Sequence, residues 1–217
     1  MCADAPSDNE IIRRVLDGDS ASFELIMRRY NQRLYRVVRS IVGVESDVED
    51  VMQEAYFRAY QYLQQFEGRS AFSTWLIRIA VHEATARRRK RQSQRVVSGD
   101  AEAEGMGTSG SDRDGAQEAS LKELRHLLAS AVEALPVDLR LVFTMRMIER
   151  MSTNQTAECL DLTTANVKAR LHRARATLRS WIDQRIGEEA RQLYVFNGEP
   201  CDRVVKNVLE RIARDPS

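Results

Sequence analysis

Basic side chains dominate one stretch in the C-terminal half of the chain, and their chemistry suits phosphate binding. No acidic residue occurs between Leu162 and Ile182. The basic side chains of this stretch are Lys168, Arg170, His172, Arg173, Arg175 and Arg179. Over its 217 residues the chain has 33 Lys and Arg against 32 Asp and Glu, so a polyanion would have to be bound through local segregation of charge. This stretch is therefore the first candidate for contact with a nucleic acid.

Catalytic and metal chemistry have no comparable pattern. The histidines His82, His126 and His172 are scattered and have no nucleophile or metal partner nearby in sequence. The three cysteines lie far apart, without a CxxC motif. We therefore expect no catalytic residue, no metal and no cofactor. Because no run of about 18 apolar residues and no signal-peptide pattern occurs, we expect a cytoplasmic protein that does not insert into a membrane.

Two short helices are predicted to hold the basic stretch. Ser152 and Gln155 form a capping box, which predicts a helix start. Thr163 or Thr164 can cap a second helix, whose inner stripe would be Val167, Leu171, Ala174 and Leu178.

The pair has the layout of a helix-turn-helix. Small Ala157 permits close approach of the second helix, and Val167, ten residues later, would fill the wedge between the helices. Asp161 stands where a helix-turn-helix commonly has Gly, and Asp tolerates a left-handed backbone better than most residues.

Capping boxes also predict helix starts in the N-terminal half, at Ser7 with Glu10 and at Ser46 with Glu49. The helix that follows Ser46 begins with more acidic residues than a helix dipole favours, namely Asp47, Glu49, Asp50 and Glu54. These residues indicate either a solvated face or a docking site for a basic protein surface, and the residues alone leave both possibilities open.

An aromatic loop and an arginine-rich helix follow. The segment from Phe66 to Trp75 reads FEGRSAFSTW, and its aromatics suit either core packing or stacking on unpaired bases. The next helix, from about Ser73, ends in RRRKR at Arg87 to Arg91, a positive cluster of phosphate-binding size.

The stretch from Ser98 to Ala116 is rich in Gly, Ser, Asp and Glu, which predicts a flexible linker. We therefore expect an all-α protein with two small helical domains, the second a four-helix unit containing the helix-turn-helix. A turn at Asn197 and Gly198 and a last amphipathic helix are expected beyond it.

The order of these features resembles the extracytoplasmic-function (group IV) sigma factors of bacterial RNA polymerase. The resemblance rests on four motifs: DGDSASFELIMRRY at Asp17 to Tyr30, DVEDVMQEAYFRAY at Asp47 to Tyr60, FSTWLIRIAVHEATARRRKR at Phe72 to Arg91, and NVKARLHRARATLR at Asn166 to Arg179.

The resemblance implies four segments. Residues 7–95 would form a region 2-like domain for polymerase binding and for recognition and melting of the minus-ten element, and residues 96–117 the linker. Residues 118–184 would form a region 4-like domain for the minus-thirty-five element, and residues 185–217 an extension of unknown role. The implied function is promoter recognition and transcription initiation at a specific regulon, in a stress response.

The resemblance also implies functional residues, which are assigned by their positions in the matching motifs. Core polymerase binding is expected from Asp47, Asp50, Gln53 and Glu54. Minus-ten DNA is expected to contact Phe66, Phe72, Trp75, Ile79, His82, Arg87, Arg88 and Arg89. The minus-thirty-five element is expected to contact Thr164, Asn166, Lys168, Ala169, Arg170, Arg173, Arg175 and Arg179. His82 stands where the family often has Asn.

The implied partners are core RNA polymerase, through its β′ clamp and β flap, and promoter DNA, while an anti-sigma factor is left open as a third. An alternative is a dimeric helix-turn-helix regulator that acts without being a polymerase subunit. That alternative predicts a palindromic operator and tight binding without polymerase, and it leaves the acidic helix and the aromatic loop without a role. A nucleoid or RNA-binding protein would explain only the arginine clusters, and the near-zero net charge counts against it.

Overall fold

A computed structural model gives the structure of residues 6–98, 116–193 and 199–214, and these residues form helices and connecting turns. This confirms the predicted all-α class. In chain order the helices are α1 (Asp8–Leu16), α2 (Phe23–Val42), α3 (Glu45–Gln61), α4 (Phe72–Ser98), α5 (Ala116–Glu133), α6 (Val137–Phe143), α7 (Thr153–Leu160), α8 (Thr164–Leu193) and α9 (Glu199–Arg214). A π-helical turn, Thr144–Ile148, continues α6.

Two of the three predicted capping boxes are confirmed. The Ser7 hydroxyl accepts a hydrogen bond from the Glu10 amide, and the Glu10 carboxylate accepts one from the Ser7 amide at 2.6 Å. Ser152 and Gln155 make the equivalent pair at the start of α7.

The box predicted at Ser46 is wrong. Helix α3 begins one residue earlier, at Glu45, and its N-cap Val44 makes no side-chain capping bond. The Glu45 carboxylate instead accepts a hydrogen bond from the Tyr35 hydroxyl at 2.9 Å and lies 3.4 Å from Arg39. Contacts with α2 therefore accompany the start of this helix, and Ser46 falls inside it.

Helices α2, α3 and α4 pack on one another around an apolar core. Its fully buried side chains include Leu34, Val37, Val38, Val48, Leu76 and Ile77. Small residues at the α3–α4 contact, Ala55, Ala59, Ala80 and Ala84, are also fully buried and allow the two helix backbones to approach closely. This three-helix core fixes the long helix α4, which bears most of the predicted minus-ten residues.

The helix-turn-helix forms as predicted. Val142 of α6, Ala157 of α7 and Val167 of α8 make one buried cluster, so Val167 fills the wedge between α7 and α8. Beside this cluster, Leu141, Met145, Met151 and Cys159 belong to the same buried core as α2 and α4. Helices of both predicted domains thus share one core within the compact unit that extends to Ala176.

The predicted linker overlaps helix at both ends, because α4 continues through Ser98 and α5 begins at Ala116. Residues 99–115 lie outside the described residues, as does the turn predicted at Asn197 and Gly198.

The second unit, from Thr177, contains the end of α8 and helix α9. Helix α9 has four apolar residues that are each at least 50% exposed: Val204, Val205, Val208 and Leu209. Among the described helices none combines the length and the apolar character needed to span a bilayer.

Candidate functional site

The turn of the helix-turn-helix sets the direction of α8. Asp161 adopts the left-handed conformation that its position demands, with φ 50° and ψ 45°. Two residues later the Thr163 hydroxyl accepts a hydrogen bond from the Asn166 amide at 3.2 Å and so caps α8. Both observations confirm the predicted turn.

Most of the predicted minus-thirty-five residues lie exposed on α8. The exposed ones are Thr164, Asn166, Lys168, Ala169, Arg173, Arg175 and Arg179. Arg170 is half-buried, and its guanidinium lies 3.9 Å from the Asp138 carboxylate. Lys168 and Arg175 are seven residues apart, about two helical turns, so they share a stripe along α8. This helix therefore presents an open cationic face.

The acidic start of α3 is largely engaged within the fold. The Asp47 carboxylate accepts hydrogen bonds from Arg87 at 2.7 Å and from Arg91 at 3.1 Å, and its side chain is only 14% exposed. Asp50 accepts a further bond from Arg87 at 3.0 Å. The hydrogen bond and the charge of Asp47 raise the pKa of the Arg87 guanidinium.

These pairs involve two of the predicted site residues. Two arginines of α4 already pair with the Asp47 carboxylate, and its contact with polymerase stays a prediction. Arg87 pairs with Asp47 and Asp50, whereas its neighbours Arg88 and Arg89 are exposed. Of the predicted polymerase contacts, Gln53 is exposed, and Glu54 is half-exposed beside Arg58 at 2.8 Å.

Sequence reasoning missed an apolar groove of about 450 Å³ between α2 and α3. Its lining is Phe23, Met27, Asn31, Glu49, Met52, Gln53, Tyr56, Phe57 and Tyr60. Two of these aromatic side chains are notably exposed, Phe57 at 57% and Tyr60 at 41%. Neither Phe57 nor Tyr60 belongs to the buried stripe of α3, which consists of Val48, Val51, Ala55, Tyr56 and Ala59, and this is their signal in the sequence. The groove joins an apolar floor to the polar side chains of Glu49 and Gln53.

The aromatic loop is packed rather than open. The ring of Phe66 lies 5.3 Å from that of Phe72 and 5.5 Å from that of Trp75, and Tyr30 of α2 lies 6.0 Å from Phe72. Phe72 is only 3% exposed, so its ring packs inside the aromatic cluster, and its contact with DNA stays a prediction. Phe66, Trp75 and Ile79 are half-buried.

His82 is exposed, and its imidazole lies 3.5 Å from the carboxylate of Asp161. Arg78, one turn earlier on α4, donates a hydrogen bond to the same carboxylate at 2.7 Å. The structure thus brings the predicted minus-ten helix against the turn of the helix-turn-helix.

Two known families match this chain. Sigma-70 region 2 matches residues 26–94, and Sigma-70, region 4 matches residues 125–178. The ECF RNA polymerase sigma-E factor of Haemophilus influenzae is 33% identical over 185 residues, which cover 83% of this chain and 97% of that protein. The chain belongs to the extracytoplasmic-function sigma factors. The sigma-E factor of Escherichia coli K12 is 35% identical to this sigma factor over 179 residues, 79% of this chain and 92% of its relative.

Solved structures agree with the fold of this sigma factor. CnrH in complex with the cytosolic domain of CnrY has 25% identity and a TM-score of 0.59, covering 82% of this chain and 99% of that one. RpoE in complex with the anti-sigma factor NepR, from Bartonella quintana, has 20% identity and a TM-score of 0.62, covering 74% and 96%. The matched ranges contain the α2–α3 groove apart from Phe23, most of α4 and the start of α8, whereas α1 and α9 lie outside them.

Proposed function

We propose that this sigma factor binds core RNA polymerase and directs it to promoters through three separate surfaces. These surfaces are the α2–α3 groove, the exposed part of α4 and the cationic face of α8. The protein supplies recognition, and the polymerase supplies the chemistry. It acts in the cytoplasm, where its polymerase partner works, and has no catalytic activity of its own.

The α2–α3 groove is the surface for the polymerase β′ clamp. Phe57 and Tyr60 offer exposed apolar area, which suits the centre of a protein interface. Glu49, Gln53 and Glu54 add a polar and acidic margin, which would select and orient a basic helix surface. Asp47 holds α3 to α4 instead of contacting the polymerase.

Helix α8 reads the minus-thirty-five element in the major groove. Lys168 lies in its second turn, near the N-terminus, where base edges are reached most easily, and Arg173 adds a longer side chain. The guanidinium groups of Arg175 and Arg179 contact phosphates and set the register on the duplex. The methyl groups of Thr164 and Ala169 suit contact with thymine.

Half-buried and exposed residues of α4 capture the melted minus-ten element. Trp75, Ile79 and His82 are the base-contacting candidates, and Arg88 and Arg89 supply phosphate contacts. Phe66 and Phe72 support Trp75 from behind through ring contacts.

An anti-sigma factor is a further proposed partner. CnrH was solved with the cytosolic domain of CnrY, and RpoE with the anti-sigma factor NepR. An anti-sigma factor that occupied the α2–α3 groove would compete directly with the polymerase clamp.

The observation that most strongly supports this function is the α8 face, which is exposed and basic and has no acidic residue from Leu162 to Ile182. The test is transcription from a promoter library by core polymerase with and without the protein. We expect a defined set of promoters with two upstream elements to fire only when the protein is present, and a Lys168→Ala/Arg173→Ala variant to alter that set. Arg14→Ala, an exposed charge loss on α1, is the matched control.

If core polymerase initiates from the same promoters with and without the protein, the proposal is contradicted. Tight binding to a palindromic operator without polymerase would favour the dimeric regulator instead.

A further inference from the structure

The aromatic loop is supported by α1 on two sides. On one side α1 packs against the turn Leu63–Gln65, which leads directly into the loop. On the other side the hydroxyl of Tyr30 in α2 donates a hydrogen bond to the carboxylate of Asp8, the first residue of α1. The ring of Tyr30 lies 6.0 Å from the ring of Phe72. Helix α1 is therefore linked to the loop at its beginning and near its end.

The start of α1 is itself fixed within the fold. Ile11, Ile12 and Val15 are buried and anchor the helix in the core. Arg29 of α2 pairs with the Asp8 carboxylate and donates a hydrogen bond to the Pro6 carbonyl at 2.5 Å. The Asp8 side chain is only 25% exposed. Its carboxylate is thus a fixed acceptor for the Tyr30 hydroxyl.

Tyr30 connects α1 to the residue proposed to stack on a base. Burial, and after it the hydrogen bond to Asp8, raises the pKa of the Tyr30 hydroxyl, which therefore stays protonated and donates. Its ring contacts Phe72, and Phe72 lies 5.5 Å from Trp75. Phe66, at the beginning of the loop, also lies 5.5 Å from Trp75. A continuous series of contacts therefore runs from α1 to Trp75.

Capture of an unstacked base requires this kind of support. The α4 backbone fixes where the Trp75 side chain starts, but the neighbouring rings decide which rotamer it holds. A functional side chain has to be kept within about 0.5 Å of its working geometry by the residues packed against it. Trp75 is half-buried, so part of its ring is packed in the cluster and part is accessible to a ligand.

We propose that α1 is a positioning element for capture of the minus-ten element: the Asp8–Tyr30 hydrogen bond and the contact with Leu63–Gln65 hold the aromatic loop so that Trp75 meets an unstacked base. Asp8 and Tyr30 are positioning residues, which act through the loop. The inference rests on the proposed assignment of Trp75 to melted DNA. It gives a role to α1, which lies outside the range that matches Sigma-70 region 2.

Fluorescence of Trp75 tests the positioning without polymerase or DNA. In a full-length Trp181→Phe background, Trp75 is the single tryptophan. Tyr30→Phe keeps the ring and removes the hydroxyl, so the loop loses its tie to α1 while the aromatic packing stays possible. We expect quenching of Trp75 by acrylamide to increase about twofold, because its ring is held less firmly in the cluster.

Tyr35→Phe is the matched control. Tyr35 lies on the same helix, and its hydroxyl donates to the carboxylate of Glu45, the first residue of α3, at 2.9 Å. The two variants thus lose the same kind of bond, at the start of α1 and at the start of α3. Thermal melts should show similar losses of stability, whereas only Tyr30→Phe should change the quenching of Trp75.

Variants of Asp8 test whether the effect passes through this one bond. Asp8→Ala removes the acceptor and should reproduce the quenching of Tyr30→Phe, and the double variant should be no worse than either single one. Asp8→Asn keeps an oxygen that can accept from the Tyr30 hydroxyl and should retain the value of the parent chain.

Initiation by reconstituted holoenzyme tests the consequence for promoters. Tyr30→Phe and Asp8→Ala should each lower initiation about fivefold or more, because Trp75 is no longer held for base capture. Their preference among minus-thirty-five variants should match that of the parent chain. Tyr35→Phe and Asp8→Asn should initiate as the parent does.

Equal Trp75 quenching in Tyr30→Phe and the parent would overturn the proposal, and so would equal effects of Tyr30→Phe and Tyr35→Phe. Increased quenching with unchanged initiation would also overturn it, because the position of the loop would then not matter for capture. The parent holoenzyme, assayed alongside, tests the proposed function separately, since Trp75 quenching is measured on the sigma factor alone.

Discussion

The arginine-rich end of α4 and the basic face of α8 have similar compositions and different surroundings. On α8, Lys168, Arg173 and Arg175 are exposed on a face without an acidic residue. On α4, Arg87 and Arg91 are held by Asp47 of α3. The same residue type thus points outward on one helix and ties two helices together on the other.

This difference shows what residue type can and cannot establish. A run of basic residues gives a helix the capacity to bind phosphate, but acidic groups elsewhere in the chain decide how much of that capacity remains available. The aromatics behave in the same way. Phe72 has the chemistry to stack on a base, yet its ring is enclosed by Phe66, Trp75 and Tyr30.

The largest expected effect concerns that enclosed ring. Phe72→Ala should lower the free energy of unfolding by about 3–5 kcal/mol, because it empties a buried site between aromatic neighbours. Lys168→Ala on the open face should change it by less than about 0.5 kcal/mol. Urea denaturation followed by circular dichroism measures both. A stable Phe72→Ala chain with altered minus-ten preference would instead make Phe72 a DNA-contacting residue.

The next effect concerns discrimination by α8. Lys168→Ala and Arg173→Ala should each remove about 1–3 kcal/mol of preference among minus-thirty-five variants, since each long side chain is free to reach a base edge. Competition binding by reconstituted holoenzyme on a promoter panel measures the loss. Arg88→Ala on α4 is the control and should leave the minus-thirty-five preference unchanged. If both α8 variants weaken every promoter equally, this face binds phosphate only.

A smaller change in stability is expected at the acidic start of α3. Asp47→Asn should lower the free energy of unfolding by about 1–2 kcal/mol, because it weakens bonds to Arg87 and Arg91 that water partly screens. Glu54→Gln, in a half-exposed pair with Arg58, should cost less than about 0.5 kcal/mol. Thermal melts compare the two. If Asp47→Asn keeps full stability but loses affinity for polymerase, Asp47 contacts the polymerase directly.

The smallest effect is on salt dependence. Arg179→Ala should weaken binding to all promoters alike and reduce the slope of log affinity against log salt by about 1, because one phosphate contact is lost. Arg87→Ala should leave that slope unchanged, since its guanidinium is engaged by Asp47 and Asp50. Salt titrations of holoenzyme binding measure both slopes. Equal changes in the two variants would show that Arg87 also contacts DNA.

The sequence predicted local features well because their partners lie within a few residues. The capping boxes at Ser7 and Ser152 and the left-handed Asp161 depend on neighbouring backbone, and all three are confirmed. Pairings across long separations could not be predicted in this way. Asp47 meets Arg87 over 40 residues, and Asp161 meets Arg78 over 83, and no periodicity encodes such pairs.

The family resemblance supplied the expected assignment of helices to promoter elements, whereas only the structure shows that Asp47, Phe72 and Arg87 also make contacts within the fold. The exposed aromatics Phe57 and Tyr60 were missed because an apolar residue off the buried stripe has no assigned partner in a sequence.

We propose that α4 and α8 read different promoter elements independently of each other. This proposal is tested most directly by initiation from promoters changed singly at the minus-ten or the minus-thirty-five element, with holoenzyme containing His82→Asn, Lys168→Ala or the parent chain. We expect His82→Asn to change preference only among minus-ten variants and Lys168→Ala only among minus-thirty-five variants. A change of preference at the opposite element, or at neither, would contradict it.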